Sequence, residues 1–392
     1  MKKIFIILSR DPRSAQIMMF LINSLLNKNY HIELFYYETK LYLDAYEKLN
    51  FESKNIKIHP LKIGKSNKFK FIKRIIYILR EFKKKKPTHV FTVDKKSFLV
   101  IPVLNLFFKQ FKKVHIVLDF DDPKDETFKE GIITKIQFYF SKYIDLFLFP
   151  SSERAKIFFK FSNIINKKFS LLSNHFPINF KPSIGNELDK ILENKKLTYS
   201  KIVCSLGTIG KNHHHEELIK SVVDWEDNKI LIIAGWPNEN IIGKLNKIIL
   251  NNNIQNKVLI LTNISEKLWL EILFKSDLGI CFYKQDSISH KFMAGPSTKL
   301  NNYLLANIPF LACDNEDFQK FNLKYNICEL VNPSKPKDIA KKVNELLSDN
   351  FKYNLLKKNS KIAFHEKLNF DVQFKKIYSD LINLEENIIN FN

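Results

Sequence analysis

The sequence of 392 residues contains no apolar run close to the roughly 18 residues that a membrane-spanning helix needs. Its first apolar stretch, MKKIFIIL, is interrupted at Ser9, Arg10 and Asp11, which is too early for the apolar region of a signal peptide. We therefore expect this stretch to form a first buried strand. Apolar residues make up 45% of the chain, which is enough for two full hydrophobic cores.

Cysteine is scarce, and several familiar motifs are missing. The four cysteines lie far apart in apolar surroundings without a C-x-x-C pair, which predicts reduced core residues of a cytoplasmic protein; they are Cys204, Cys281, Cys313 and Cys328. The sequence contains no G-x-x-x-x-G-K-[ST], no G-x-G-x-x-G and no G-x-S-x-G. Walker-type ATP hydrolysis, a standard dinucleotide fold and serine esterase chemistry therefore lose support.

Positive charge is in excess, with 63 Lys and Arg against 41 Asp and Glu and a formal net charge of +22. Nucleic acid, anionic lipid and phosphorylated substrates would each suit such a surface. Compositional drift from an AT-rich coding sequence would produce the same excess without a function. Because no nucleic-acid recognition module is present, we do not expect nucleic acid as a partner.

The most basic segment is KSNKFKFIKRIIYILREFKKKK, residues 65–86. The segment ends in the run Lys83 to Lys86. Its apolar residues follow helical spacing; they are Phe69, Ile72, Ile75, Ile76, Leu79 and Phe82. This pattern suits a helix lying on an anionic bilayer surface. It equally suits an ordinary domain helix with its apolar face in the core.

Short apolar runs alternate with helix-period stretches, which predicts an α/β fold of two Rossmann-like domains. We expect strands at 2–9, 31–37, 88–93, 113–120 and 146–151 in the first half, and at 201–207, 229–235, 257–263, 277–283, 308–314 and 327–331 in the second. The predicted domains are 1–180 and 181–365, and a final helix in 366–392 is expected to pack back on the first domain. In such sheets ligands bind beyond the carboxyl ends of the strands.

The segment AGPSTKLNNYLLANIP, residues 294–309, predicts a helix that starts at Ser297 or Thr298 and stops at Asn307. Its opening on hydroxyl groups and Lys299 leaves free backbone N–H groups and a positive dipole end, where an anion such as phosphate would bind. The alternative is an ordinary capped core helix with a surface lysine.

Three other loops follow predicted strands. SRDPRSAQ places Arg10 and Arg13 beside a helix start, where they would hold an acidic acceptor or phosphate, or would only form salt bridges. DFDDPKDE crowds Asp119, Asp121 and Asp122, which favours a general base or acceptor-positioning acid, a divalent-metal site or helix-capping acids.

The loop TIGKNHHHEELIKSV follows the first strand of the second half. Gly207 and Gly210 permit close backbone approach, and Thr208 and Lys211 are candidate phosphate ligands. The consecutive histidines 213 to 215 would point in different directions on a helix, so a zinc site from them alone is not favoured, and one histidine at the ligand site is expected instead.

Together these segments resemble the GT-B glycosyltransferases, in particular family 4, which builds bacterial surface polysaccharides. The resemblance covers nearly the whole chain and rests on Asp11-Pro12-Arg13, NKNYHIELF, KPTHVFTVD, YIDLFLFPSSERAK, LLSNHFP and, most specifically, PSTKLNNYLLANIPFLACD. It implies two Rossmann-like domains facing a central cleft, a nucleotide-sugar donor in the C-terminal domain, an acceptor in the N-terminal domain, and no essential metal.

By this resemblance Ser297, Thr298 and Lys299 would lie at the donor phosphates, with Gly207 and Thr208 beside them. The turns at Gly235-Trp236 and Asn263-Ile264 would lie near the nucleobase. The sequence also departs from the family, because its two glutamates would fall at Ala294 and Asn302. The family's Arg and Lys in the first loop of the C-terminal domain would fall at Thr208 and His213 here, and Lys211 could substitute only if that loop is shortened. The family's acceptor-side His would fall near Asp121.

The resemblance therefore implies a glycosyltransferase acting on a glycan or lipid-linked acceptor in lipopolysaccharide, capsule or related synthesis. Asp121 and Asp119 are the candidate catalytic acids, and Arg10 and Arg13 the candidate acceptor ligands. We expect a cytoplasmic protein bound peripherally to the anionic inner face of the plasma membrane. Loss of both family glutamates favours the alternative of a catalytically inactive sugar-nucleotide-binding or assembly protein.

Overall fold

A computed structural model describes residues 2–38, 51, 53–62, 68–122, 128–195, 197, 199–226, 228–238 and 241–389. The chain divides into two compact units. Unit 1 comprises Met1–Asn174 and Phe370–Asn392, and unit 2 comprises His175–Asn369. The sequence had placed the corresponding boundaries after residues 180 and 365.

Unit 1 contains a sheet that is parallel throughout, with strand order β3-β2-β1-β4-β5-β6-β7. Its strands are β1 (Lys3–Leu8), β2 (His31–Glu38), β3 (Ile56–Lys62), β4 (His89–Val93), β5 (Lys112–Ile116), β6 (Leu146–Phe149) and β7 (Phe169–Leu171). The described helices are α1 (Gln16–Asn27), α2 (Lys68–Lys85), α3 (Asp94–Phe98), α4 (Val100–Phe107), α5 (Phe128–Phe140) and α6 (Ser152–Ser162). The alternation of strand and helix is the doubly wound pattern that the sequence predicted.

The C-terminal helix α16 (Phe370–Ile389) completes the core of unit 1. Phe370, Ile377 and Leu381 are buried in the same cluster as the strand residues Ile6 and Leu34. Polar contacts support this packing, since Tyr30 Oη donates to the Glu385 carboxylate at 3.0 Å. The last helix is therefore structurally part of the unit that contains the beginning of the chain.

Helix α2 buries only part of the face that its apolar spacing predicts, since Phe82 is buried and Ile75 and Leu79 are half-buried. Ile78 and the guanidinium-bearing Arg74 are buried, whereas Ile72 and Ile76 are 53% and 42% exposed. Arg74 Nη2 donates to the Leu8 carbonyl at 2.6 Å, which ties the helix to the end of β1. The side chains of residues 65–71, including Phe69, lie outside the described residues.

Unit 2 contains a second parallel sheet with strand order β10-β9-β8-β11-β12-β13. The strands are β8 (Lys201–Ile209), β9 (Lys229–Pro237), β10 (Val258–Thr262), β11 (Leu278–Cys281), β12 (Phe310–Cys313) and β13 (Cys328–Val331). The helices are α7 (Leu188–Asn194), α8 (His215–Ser221), α9 (Ile241–Asn251), α10 (Glu266–Lys275), α11 (Ile288–Lys291), α12 (Thr298–Ala306), α13 (Glu316–Tyr325), α14 (Pro336–Ser348) and α15 (Asn350–Glu366). All six strands predicted for the second half are present.

The four cysteines are buried and free, as their apolar surroundings predicted. In the part of the chain that the structure describes, no helix combines the length and the apolar character needed to cross a bilayer.

Candidate functional site

The carboxyl ends of β8, β9 and β10 lie very close together. Gly207 pairs with Gly235 across two parallel strands, and both have positive φ, +129° and +149°. The Asn263 N–H, just after β10, donates to the Gly235 carbonyl at 2.9 Å. Glycine is required where strand ends approach this closely, because a side chain would fill the space at the sheet edge.

Helix α12 begins at this same edge and is capped as its sequence predicts. The Ser297 hydroxyl accepts a hydrogen bond from the Leu300 N–H at 3.1 Å and lies 2.7 Å from the Tyr283 hydroxyl. Ser297 is fully buried, so its hydroxyl belongs to the helix cap and to the core. Donor contact at this position would fall to backbone N–H groups of the first turn rather than to the Ser297 side chain.

Lys299 lies in the first turn of α12, and its side chain runs beside Gly207. A Cβ added at Gly207 would lie 3.3 Å from Lys299 Cε. Lys299 Nζ is buried and has no hydrogen-bond partner among the described residues. It lies 5.5 Å from the centroid of the Tyr283 ring, whose face attracts a cation only weakly.

The charge of Lys299 has no compensating anion in the described part of unit 2. Burial lowers the pKa of its ammonium from 10.5 to about 8. Burial also raises the pKa of the neighbouring Cys281 thiol to about 11 and that of Cys313 to about 12, so both thiols are neutral near pH 7. A buried, uncompensated ammonium at a helix N-terminus is an arrangement that an anionic ligand stabilises.

The three consecutive histidines have different partners. His213 Nδ1 lies 3.3 Å from the Phe282 carbonyl, His214 Nδ1 lies 3.6 Å from the Glu217 carboxylate, and His215 Nε2 lies 3.3 Å from the Ser205 hydroxyl. Burial, with Lys299 as the next cause, lowers the pKa of His213 to about 2. His213 is therefore a neutral ring beside Tyr283 and His290, whereas Lys211 is exposed in the turn Lys211–His213.

An aromatic surface follows Gly235 along β9. Trp236 stacks on Trp269 with ring centroids 5.3 Å apart, and Trp236 is 39% exposed. Thr208 pairs with Trp236 across β8 and β9, and Ile264 is half-buried just after β10. The two predicted nucleobase turns therefore lie at the end of β9, the neighbour of the Gly207 strand, and at the end of β10, the next strand along the sheet.

The positions of the two family glutamates are occupied by buried residues. Ala294 donates its N–H to the Asp317 carboxylate at 2.8 Å, and Asn302 is only 3% exposed. The neighbouring Asn301 fixes the helix, since its Nδ2 donates to the Ser297 carbonyl at 2.7 Å and its Oδ1 bonds to His175. Thr298, the first residue of α12, is exposed, unlike Ser297 and Lys299 on either side of it.

In unit 1 the two predicted acceptor arginines are both ion-paired. Arg13 forms a bidentate pair with the fully buried Asp11, with Nε–Oδ1 and Nη2–Oδ2 distances of 2.9 and 2.7 Å. Arg10 bonds to Asp94 through Nε at 2.9 Å and also through Nη2. Arg10 is the more exposed of the two, with 42% of its side chain accessible against 11% for Arg13.

The predicted catalytic acids lie in the loop after β5. Asp119 is 60% exposed, and its carboxylate lies 3.5 Å from Arg154 Nη1. Asp121 and Asp122 are half-buried, and residues 123–127 of this loop lie outside the described residues. The buried Arg154 also donates to the Leu118 carbonyl at 3.0 Å, so it fixes the loop as well as pairing with Asp119.

Sequence reasoning missed Asp94 and Arg154. Asp94 follows β4 directly in THVFTVD, and the rule that ligand-binding residues follow strands would have identified it. Arg154 lies on helix α6, where nothing in the pattern distinguishes it from a surface residue.

A further polar cluster lies at the edge of the unit 1 sheet. Glu33, His59 and Glu81 bring metal-type ligand atoms within 4.8 Å of one another. Lys85 Nζ lies 3.0 Å from Glu33 Oε1, and His59 Nε2 lies 2.5 Å from Glu33 Oε2. Burial alone would raise the pKa of Glu33, but the hydrogen bonds from His59 and Lys85 hold this pKa below its usual range. The ammonium supplies the positive charge that a metal would supply, so we interpret the cluster as an ion-pair network.

Comparison with known proteins agrees with this geometry. Residues 189–363 match the family model described as glycosyl transferases group 1. An uncharacterized glycosyltransferase of Methanocaldococcus jannaschii, MJ1059, is 30% identical over 223 residues, which are 54% of this chain and 52% of the relative. The chain thus spans about half the length of this curated relative.

Two solved structures resemble the chain over almost its whole length. The crystal structure of Anabaena Alr3699/HepE in complex with UDP and glucose has a TM-score of 0.74 at 12% identity, with 98% of this chain and all of that one covered. WaaG, a glycosyltransferase involved in lipopolysaccharide biosynthesis, has a TM-score of 0.64 at 11% identity, with 95% and 98% covered. The chain thus has the two-domain GT-B fold, and the match to the glycosyl transferases group 1 model lies within unit 2.

Proposed function

We propose that this chain is a glycosyltransferase that moves a sugar from a nucleotide-activated donor to a glycan or lipid-linked acceptor in bacterial surface polysaccharide synthesis. The observation that carries the proposal is Lys299, a buried ammonium at the N-terminus of α12 that has no counter-ion among the residues that the structure describes. The group 1 family match and the UDP complexes of HepE support a nucleotide sugar as the donor.

The chemical need in such a transfer is to stabilise the departing nucleoside diphosphate. Lys299 and the positive dipole end of α12 would receive the negative charge that grows on the leaving phosphate. Gly207 leaves the sheet edge without a side chain at the point where Lys299 passes, and Trp236 offers an aromatic face for the base. In this scheme donor recognition belongs to unit 2 and requires no metal.

In unit 1 we propose that the acids after β5 orient or deprotonate the acceptor hydroxyl, with Asp121 as the better candidate. Asp119 is 60% exposed, and its carboxylate is already paired with Arg154. Asp121 is half-buried, a more suitable environment for a general base.

Hydrolysis of nucleotide sugars by the purified protein tests the proposal. We expect slow release of nucleoside diphosphate from one donor in a panel of UDP-, GDP-, ADP- and dTDP-sugars, and loss of this release in Lys299→Ala. Lys291→Ala, which changes an exposed lysine of the short preceding helix, is the matched control. Absence of both hydrolysis and donor binding across the panel would contradict the assignment.

The residues at the glutamate positions favour a second candidate, a sugar-nucleotide-binding protein without catalysis. Ala294 and Asn302 carry no charge, so the ribose and sugar hydroxyls would lose two carboxylate partners. The same panel separates the candidates, because a binding protein would be thermally stabilised by a nucleotide sugar without hydrolysing it.

For location we propose a peripheral association with an anionic membrane surface through helix α2. The exposed Ile72 and Ile76 lie on the same helix as the exposed Lys83 and Lys84, and Lys86 follows the helix end. Apolar side chains beside a basic cluster are typical of helices that bind anionic bilayers.

Sedimentation with vesicles tests this association. The triple replacement of Lys83, Lys84 and Lys86 by Gln should reduce binding to phosphatidylglycerol vesicles, whereas replacement of the exposed Lys357, Lys358 and Lys361 of α15 by Gln should not. Lys85 is left unchanged because it pairs with Glu33. Equal binding by the wild-type protein and both triple variants would rule out the α2 surface.

A further inference from the structure

Asp94 has a left-handed backbone conformation, which among residues other than glycine is adopted mainly by Asn and Asp. It follows β4 directly and opens helix α3 with a φ of +62°. Positive φ is uncommon in residues other than glycine, and such strain persists where the surrounding structure or a function requires it. Asp94 is also buried, with 8% of its surface exposed.

The carboxylate of Asp94 is only half satisfied. Oδ2 accepts from both Nε and Nη2 of Arg10, whereas Oδ1 is buried and has no hydrogen-bond partner in the described residues. Burial raises the pKa of Asp94, and Arg10 is the main opposing influence. The fold thus holds a buried carboxylate whose favourable contacts are Arg10 and the Leu118 backbone N–H, while Oδ1 lies outside good hydrogen-bonding geometry.

Arg10 and Asp94 lie at the part of the sheet where open parallel sheets bind ligands. β1 and β4 are neighbours in the order β3-β2-β1-β4-β5, so the strand order reverses between them. Arg10 follows the carboxyl end of β1, and Asp94 follows that of β4. The crevice at such a reversal point is the preferred ligand position in doubly wound folds.

We propose that Arg10 and Asp94 together bind two neighbouring hydroxyl groups of a sugar acceptor. One hydroxyl donates to the Asp94 carboxylate, and the next accepts from the Arg10 guanidinium, which is the exposed member of the pair. Charged partners strengthen both hydrogen bonds and fix the orientation of the sugar ring. This inference rests on the proposed function. It adds Asp94 to Arg10 as a residue that binds the acceptor.

Thermal stability of Asp94 variants separates a binding role from a structural ion pair. Asn and Gly tolerate positive φ, and both remove the buried charge. We expect the Tm of Asp94→Asn and Asp94→Gly to equal or exceed that of the wild-type protein, since a strained binding residue is retained at a cost to stability. A clear fall in Tm for both variants would identify Asp94 as structural.

Glycoside binding tests the ligand class directly. Saturation-transfer NMR on the UDP-saturated protein with a panel of methyl hexosides should give signals for at least one glycoside. We expect at least about tenfold weaker binding in Asp94→Asn, the loss expected for one charged hydrogen bond. Glu130→Gln, which removes a nearby carboxylate paired to Lys95 and Lys96, should bind like the wild-type protein.

Nucleotide binding and glycoside binding test the two proposals independently. If no nucleoside diphosphate binds to the wild-type protein, the proposed function fails, and the glycoside arm is then run without nucleotide. If no glycoside binds the wild-type protein, or if Asp94→Asn binds glycosides as well as the wild-type protein, the role of the Arg10–Asp94 pair is overturned.

Discussion

Gly235 lies so close to Gly207 on the neighbouring strand that a Cβ at Gly235 would be 1.8 Å from the Gly207 carbonyl oxygen. The φ of Gly235, +149°, is also one that side-chain-bearing residues rarely adopt. The close approach of β8 and β9 therefore depends on this glycine, and the strand ends beside Lys299 depend on that approach.

Gly235→Ala should destabilise unit 2 and abolish nucleotide binding. Strain at such a position costs about 1–3 kcal/mol, and the steric overlap with Gly207 adds to it. Urea denaturation of the variant measures the loss. Gly243→Ala is the matched control, because Gly243 lies on helix α9 with no heavy atom within 4 Å of an added Cβ. That change should stabilise the protein by about 0.5–1 kcal/mol, and equal effects of the two changes would contradict the role of Gly235.

Nucleotide binding should be coupled to protonation of Lys299. In the free protein burial lowers the pKa of Lys299 to about 8, and a bound diphosphate would raise it by supplying negative charge. Above about pH 8 binding therefore takes up a proton, and the affinity for nucleotide falls as the pH rises. Below that pH Lys299 is already charged, and the uptake disappears.

Calorimetry of UDP binding in HEPPS and in Tris at about pH 8.5 measures this uptake, because the observed enthalpies differ by the protons exchanged with the buffer, and these two buffers have different ionisation enthalpies. Lys299→Arg should abolish the difference, since arginine remains protonated at this pH. Identical enthalpies in both buffers for the wild-type protein would show that Lys299 does not titrate on binding.

Tyr303 should contribute strongly to the stability of unit 2. Its hydroxyl accepts from the Ile280 N–H at 3.1 Å and lies within donating distance of the Ile280 and Cys204 carbonyls, at 2.9 and 3.2 Å. Tyr303→Phe leaves a buried strand N–H unpaired, which should cost about 1–3 kcal/mol of unfolding free energy. Tyr139→Phe, at a surface position, should change that free energy little. An unchanged free energy of unfolding in Tyr303→Phe would show that these hydrogen bonds can be replaced.

The last helix should behave as core of unit 1. Ile377 is fully buried, so Ile377→Ala should lower the unfolding free energy by about 2–5 kcal/mol. Val372→Ala, at a residue of the same helix that is 43% exposed, should have a small effect. Chemical denaturation compares the two, and similar small losses would mean that α16 packs only loosely.

Unit 2 could be predicted almost completely from the sequence, for a physical reason. Its strands are continuous apolar runs such as KILIIAG, because a parallel sheet covered by helices on both faces buries every side chain. In unit 1 the strands β3 and β7 were missed. IKIHPLK carries lysines, a histidine and Pro60, which a strand with one open edge tolerates, and Phe169–Leu171 is too short for a pattern.

The candidate site was predictable only in part. The start of α12 and the position of Lys299 follow from capping rules, which act over a few residues. The burial of Arg74 and the pairing of Arg10 with Asp94 join residues far apart in sequence, so local periodicity could not reveal them. For the same reason the apolar spacing of α2 identified only part of its buried face, including Phe82 but not Arg74.

Titration of nucleoside diphosphates into the wild-type protein and Lys299→Ala by isothermal calorimetry is the most direct test of the central claim. The account predicts that one of UDP, GDP, ADP and dTDP binds the wild-type protein, and that Lys299→Ala binds it at least about tenfold more weakly without a fall in Tm. Binding of equal strength in both proteins, or no binding of any diphosphate to the wild-type protein, would contradict it.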